Sequence, residues 1–538
     1  MNPTLLVLTL TILHAPVATE IDDADVIRLV ARSRAETAAD SGTFEVRETA
    51  VRWNSGETAI IVCDMWDAHH CLNAVRRVTE LAPRMNQVLE SARSRGVLIV
   101  HAPSSCMEPY NDHPARKRAQ AAPRAANLPK DIGDWCRQIP SEEKGKYPID
   151  QTDGGEDDDP AEHKSWHERL AAMGRNPKSP WKTQVDVLKI HDEDAISDSG
   201  VEIWNLLEQR GIQNVILLGV HTNMCVLGRP FGLRQMAKNG KKVVLMRDMT
   251  DTMYNPERAP FVSHFRGTDL IVEHIEKYVC PTITSDQLVG GAAFTFEGDV
   301  RPRVVLAISE DEYKTNETLP KFAVEVLETQ LGLRATVLQA DSNNGHVIPG
   351  LAAALEQADL LFVSIRRRAL PADDLAAVRS YLASGRPLVA IRTASHAFDA
   401  RGKGPAGHAE WPTFDPDVLG GNYKGHHGDG PKTKVATSTA SAKQPILAGV
   451  ETPFESSGSL YKVSPLASSA TPLLVGSIPG QPAEPVAWTN KFGKSRVFYT
   501  SLGHSDDFRN PQFVRLLGNA VSWALENARS TSRTAAGN

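Results

Sequence analysis

Short apolar runs separated by amphipathic stretches set the rhythm of this chain from Thr58 onward. Ala59-Ile60-Ile61-Val62-Cys63 is the continuous apolar run that a strand buried on both faces needs. Between Arg76 and Arg93, the residues Val78, Leu81, Met85, Val88 and Leu89 recur at helical spacing. Pro83 is expected to kink that helix or delay its start. Gly96 ends it, and Val97-Leu98-Ile99-Val100 reads as the next strand. Further strands are expected at Val185–Leu188, Val215–Gly219 and Val243–Met246, with helices over Gly200–Arg210 and Cys225–Asn239. The stretch from 25 to 55 is charged and Ala-rich and reads as a helical or irregular lead-in.

A second series opens with Val304–Ile308 and continues through Ala335–Leu338, Leu360–Val363 and Pro387–Ile391, with helical patterns between. Strands alternating with helices define a parallel sheet covered on both faces. The expected class is therefore α/β: two doubly wound parallel-sheet domains, Rossmann-like or flavodoxin-like, each a three-layer αβα sandwich. Residues 57–280 form the first domain, with a long insertion at 104–182, and 302–526 form the second. A lead-in at 20–56, a linker at 281–301 and a disordered tail at 527–538 complete the division. An insertion of that length in a compact domain is usually a lid, a binding loop or an interface.

Composition changes this picture only at the amino end. A length of 538 residues suggests two or three domains, and 41% hydrophobic with 23% charged residues is ordinary for globular protein. A formal net charge of −6 with no basic stripe excludes nucleic acid as the expected partner. Leu5–Leu13 is apolar but too short to span a bilayer, and Ala15-Pro16-Val17-Ala18 follows. Residues 1–19 thus read as a signal peptide, although no Lys or Arg precedes the run. The expected location is exported, periplasmic or secreted, with an uncleaved tether as alternative and no stable membrane span after cleavage. Six scattered cysteines without a CxxC pair suit neither a disulfide scaffold nor a zinc knuckle.

Candidate chemistry gathers where a parallel sheet presents it, at the carboxyl edge. Asp64 ends the first expected strand, Lys189 ends the third, and Cys225 lies just past the fourth. Cys225 also opens an expected helix, whose N-terminus favours thiolate and offers N–H groups to an oxyanion. These residues, with Gly219-Val220-His221-Thr222-Asn223-Met224-Cys225-Val226, resemble the isochorismatase-like cysteine hydrolases over about 57–280. The resemblance implies a triad in which Asp64 takes the thiol proton, Lys189 stabilises the thiolate and Cys225 attacks carbon. It also implies a cis peptide near Val220-His221, and hydrolysis of an amide-like C–N bond through a thioester. His221, Thr222, Asn223 and Trp66 are the expected oxyanion and pocket residues, with Arg229, Arg247 and Asp248 as further lining candidates.

No cofactor is required for such a mechanism, and a divalent metal is compatible with it. Nicotinamidases of this family hold a metal with Asp-x-His after the second strand, where this chain reads His101-Ala102-Pro103-Ser104. Asp67, His69 and His101 are the weak metal candidates that remain, with His70 beside them. The acidic knot Asp150, Asp153, Glu156, Asp157, Asp158 and Asp159 fits no EF-hand spacing and reads as a solvated loop.

In the second half, Ile391-Arg392-Thr393-Ala394-Ser395-His396-Ala397-Phe398 and Leu419-Gly420-Gly421-Asn422-Tyr423-Lys424-Gly425-His426-His427 are followed by Glu484-Pro485-Val486-Ala487-Trp488 and Gly493–His504. These segments resemble the ThuA-like domains associated with trehalose utilisation, which have a glutamine-amidotransferase-like fold. No Cys follows Cys280, so the amidotransferase nucleophile is missing. His396, His426, His427 and His504, with Glu410 and Trp411, mark a candidate second site. The expected function is an exported hydrolase acting on an amide-like C–N bond of a small molecule, free or sugar-linked, with a second domain that binds or processes carbohydrate. The alternatives are a sugar-modifying enzyme using the histidines, or a non-enzymatic carbohydrate-binding envelope protein. A homo-oligomer is compatible with either.

Overall fold

A computed structural model describes residues 25–36, 42, 44–341, 343–428, 430–439 and 444–535. The expected signal peptide lies outside the described residues. The chain divides into two compact units that meet at Asp299 and Val300.

The first unit is built on eight strands: β1 (Val26–Glu36), β2 (Phe44–Asn54), β3 (Thr58–Cys63), β4 (Leu98–Ala102), β5 (Ala195–Ile196), β6 (Asn214–Val220), β7 (Lys242–Asp251) and β8 (Thr282–Ile283). Their order is β2-β1-β8-β7-β6-β3-β4-β5, parallel from β8 to β5. Period-two alternation splits the core into two layers. Ala59, Ile61 and Cys63 of β3 face one layer, and Ile60 and Val62 face the other. Helix α1 (Leu72–Arg93) covers the second layer through Val78, Leu81, Met85 and Val88. Helix α4 (Gly200–Gln209) covers the first layer, with α2 (Pro114–Ala121) and α3 (Pro160–Ala172) lying in the insertion. Two further helices, α5 (Leu233–Lys238) and α6 (His264–Tyr278), complete that face.

Four sequence expectations are corrected here. The lead-in is neither helical nor irregular: β1 and β2 form an antiparallel hairpin. Ile27, Leu29 and Ala31 are buried between exposed Arg28 and Val30, a two-residue period that the charged composition masks. No strand forms at Val185–Leu188, where Val185 instead donates to the Met65 carbonyl. The helix expected from Cys225 to Asn239 begins earlier, as a π-helical turn over Thr222–Val226, and breaks at Arg229-Pro230 before α5. The stretch 281–301 is no free linker, since β8 joins the sheet, Leu288 is buried and Phe294 donates to Asp248.

In the second unit, β9 (Arg303–Ser309), β10 (Arg334–Gln339), β11 (Leu360–Ile365), β13 (Leu388–Ile391) and β19 (Ser495–Thr500) pair in parallel. A short pair, β12 (Leu370–Pro371) with β14 (His408–Ala409), stands apart. The main sheet continues through β18 (Glu484–Phe492), β17 (Thr471–Ser477), β15 (Thr433–Thr437) and β16 (Phe454–Ser456) as an antiparallel extension that the apolar runs do not announce. Leu360 and Phe362 face one apolar layer while Leu361, Val363 and Ile365 face the other. The final helix runs from Pro511 to Ala535, through most of the stretch expected to be a disordered tail. Both units are thus α/β, with helices on both faces of a parallel-rich sheet. No helix among the described residues is long and apolar enough to cross a membrane.

Candidate functional site

Asp64 stands directly after β3, fully buried and in the left-handed region at φ 46°. Its Oδ1 accepts from the Ser104 backbone N–H at 2.8 Å. Its Oδ2 receives Arg229 through Nε at 3.1 Å and Nη2 at 3.0 Å. Cys225, 8% exposed in the π-helical turn after β6, sits beside the same carboxyl group and Arg229, the two charges that act on its thiol most strongly. The Val220–His221 peptide bond just before that turn is cis.

Electrostatics here follow from burial. Burial pushes the Cys225 thiol up, the Asp64 charge pushes it further, and Arg229 opposes both. Burial likewise raises Asp64, against Arg229 and the Ser104 hydrogen bonds. The resting thiol is therefore neutral, beside an Asp64 carboxyl group that Arg229 grips. This differs from the helix-activated thiolate that the sequence suggests.

Lys189 is not brought to this group. It is exposed, and its Nζ donates to the Asp186 carbonyl at 3.0 Å, because the strand that would have aimed it inward does not form. Arg229 takes the cationic position instead. One helical turn past Cys225, its backbone N–H donates to the Cys225 carbonyl, an i,i+4 spacing legible in the sequence. The insertion steadies it: Trp135 lies under the guanidinium at 4.7 Å, and Cys136 N–H donates to the Gly228 carbonyl.

A small pocket beside Asp64 is walled by Trp66, His69, Val75, Val78, Val220 and His221. Trp66 stacks on Trp181 of the insertion at 4.6 Å and donates to the Ser104 carbonyl. Burial pushes the His221 ring down to about 4, so it is neutral at physiological pH. Thr222 and Asn223 have structural partners: Thr222 bonds Thr250 and the Asp251 carbonyl, and Asn223 bonds Gln151 and both backbone groups of Met253. Arg247 and Asp248 do not line the pocket; they hold Thr282, Ser285 and Phe294.

The expected metal candidates are dispersed. Asp67 is bound by Arg175 at 2.8 Å, and buried His101 sits between Gln184 and Asp194. His69 accepts from the Cys71 N–H. The acidic knot is largely structural rather than solvated. Asp157 pairs with Arg77 and His264, Asp158 caps the start of α1 at Leu72 and Asn73, and Asp153 binds Arg258. Arg77 also reaches Asp251 at 2.7 Å, closing a buried four-member network that no motif announces.

In the second unit Arg392 follows β13 as Asp64 follows β3, 2% exposed and with φ 42°. It lies against the rings of Tyr313 and Tyr461, at 4.2 and 4.7 Å, and donates to the Ser501 carbonyl. Of the predicted histidines, His396 stacks on Tyr423 at 4.6 Å, His504 meets Tyr313 at 5.9 Å and His426 meets Tyr461 at 6.5 Å. His427 is buried, with no partner on Nε2 among the described residues. Burial and then Arg367 push His396 down to about 3, so it is a neutral ring. Glu410 accepts from Gly402, and Trp411 packs beneath Arg379. Arg392 and the tyrosines were missed because only the histidines carry an obvious chemical label.

Two α/β units with buried polar groups at their sheet edges define the molecule. A family model described as ThuA, trehalose utilisation, matches residues 304–524. A ThuA-like protein from Bacteroides uniformis is similar at 16% identity and TM-score 0.34, covering 44% of this chain and 96% of its own. A cysteine hydrolase from Pseudomonas syringae pv. phaseolicola is similar at 18% identity and TM-score 0.27, covering 44% and 94%. An isochorismatase family protein from Burkholderia thailandensis is similar at 12% identity and TM-score 0.24, covering 43% and 94%. No curated protein matches the chain.

Proposed function

We propose that the first unit is a cysteine hydrolase in which Cys225 attacks an amide-like carbonyl carbon, Asp64 moves the proton and Arg229 supplies the fixed cation. One observation carries this reading: Cys225 lies buried beside a carboxyl group whose charge it feels most strongly after burial, and which Arg229 grips at 3.0 Å. The sulfur becomes nucleophilic as its proton passes to Asp64. The S–C bond forms, the carbonyl electrons move to oxygen, and collapse of the adduct expels the amine, which takes the proton from Asp64. Water then gives a proton to Asp64 as it adds to the thioester, and the departing sulfur recovers that proton. The first backbone N–H groups of the Thr222–Val226 turn serve the oxyanion. The substrate is a small molecule, and these steps need no cofactor. Export, from the apolar amino-terminal run, belongs to the same reading.

The test is the pH profile of Cys225 alkylation by iodoacetamide. Asp64→Asn removes a charge that raises the thiol, so its profile shifts to lower pH. Arg229→Met removes the opposing cation, so its profile shifts to higher pH. Profiles unmoved by both substitutions would sink the reading.

A second reading concerns the other unit. The stacked His396–Tyr423 pair beside Tyr461 favours a sugar-binding face there, in a role that holds or modifies the carbohydrate part of the substrate. Were the thiol site silent, the chain would be a carbohydrate-binding envelope protein.

A further inference from the structure

The insertion carries a cluster of ring nitrogens that the hydrolytic reading does not use. His163 and His167 sit four residues apart on α3, their ring centroids 4.0 Å from each other. That spacing sets two imidazoles on one helical face, the arrangement with which helices present paired metal ligands. Glu156, just before the helix, reaches across to two rings: His70 Nε2 at 3.1 Å and His163 Nε2 at 3.7 Å. His163 Nδ1 is meanwhile engaged by Asp158 Oδ2 at 3.0 Å. A carboxylate on one imidazole nitrogen fixes the tautomer and leaves the other nitrogen's lone pair available, as around bound zinc. His70 Nδ1 and His167 Nε2 are buried atoms without a hydrogen-bond partner.

We propose that His70, His163, His167 and Glu156 form a site for one divalent transition ion of the zinc class. The donor set is three imidazoles and a carboxylate, which suits tetrahedral zinc. His70, Glu156 and His163 are 25%, 39% and 27% exposed, so an ion can enter; their ligand atoms are not all within 4.8 Å of one another, so binding requires the rings to turn inward. This set is distinct from the dispersed Asp67, His69 and His101. It is also distinct from Cys71, Asp157 and Asp158, whose ligand atoms lie within 4.8 Å of one another. There the oxygens are already taken by Arg77, His264 and the N–H groups of Leu72 and Asn73. The ion would pin α3 to the loop after β3, where Trp166 already donates to the His69 carbonyl at 2.8 Å. It stands independently of the thiol mechanism.

The test is equilibrium dialysis of the chelator-stripped full chain against zinc, paired with the absorption spectrum of its cobalt(II) form. One ion per chain is expected, with tetrahedral d–d bands and no thiolate-to-cobalt charge transfer. His163→Ala with His167→Ala should weaken binding at least tenfold at unchanged circular dichroism. His70→Ala, in a different element, should do the same if the double variant folds poorly. Failure to retain zinc, unchanged affinity in both variants, or a thiolate band assigning the ion to Cys71 would each overturn the site.

Discussion

The two sheets solve one backbone problem with opposite chemistry. In each, a central parallel strand is followed at once by a residue in the left-handed region, Asp64 at φ 46° and Arg392 at φ 42°, with the side chain buried. Such conformations are costly for residues with a Cβ and cluster where a side chain must be held at a set angle. Asp64 meets its counter-charge in Arg229 and a thiol in Cys225, the arrangement on which the proposed proton transfer rests. Arg392 meets aromatic rings and a carbonyl, an arrangement that suits holding a ligand better than moving a proton. Under the proposed function, the same strand-to-turn device would hold a reactive pair in one unit and a buried cation among aromatic rings in the other.

The largest effect that sharpens this contrast is in the first unit. Cys225→Ala should abolish turnover of any amide the chain hydrolyses, and Asp64→Asn should lower it by about 10²–10⁴-fold, the usual worth of a positioned proton carrier. Rates measured on the hits of an amide screen decide it, and a Cys225→Ala protein that still turns over would end the contrast.

Next in size are effects of pH on stability. Buried His264 is held up to about 9, because Asp251 and Asp157 outweigh its burial. A pKa raised on folding stabilises fully below the unfolded value near 6.5 and is lost as pH climbs through 9. The expected loss is roughly 3 kcal/mol across that window. His264→Gln should flatten this alkaline limb in thermal unfolding, and an unchanged limb would refute the linkage. His396 works the other way: held down to about 3, it costs stability as pH falls below the unfolded value near 6.5. Asp415, raised by burial to about 6, partly offsets that acid loss. His396→Phe should therefore make the second unit more acid-resistant.

The smallest expected effect is also the most discriminating. Lys189→Ala should leave both turnover and the alkylation profile within about twofold of the parent, as exposed side chains away from a site do. A loss as deep as that of Asp64→Asn would restore the lysine and displace Arg229.

Legibility in the sequence followed the physics of burial. Strands buried on both faces, such as β3, β6, β9 and β11, read directly because continuous apolar runs leave little ambiguity. The β1–β2 hairpin did not, since Arg32 and Arg34 bind Glu276 from a face that looks merely charged. Asp64 and Cys225 were legible from their places at strand ends. Arg229 became the partner cation through tertiary packing under Trp135, and nothing at Lys189 signals that its strand fails to form. The Arg77–Asp157–Asp251–His264 network was invisible because its members are far apart along the chain.

That separation has a consequence during synthesis. The ribosome makes Arg77 and Asp157 well before Asp251 and His264, the last of them about 100 residues later. At 5–20 residues per second, the nascent chain waits roughly 5–20 s with this charge lock half assembled. Until the final member emerges, the sheet edge that is to carry Cys225 lacks its full clasp, so a growing chain completes that edge only near the end of its first half.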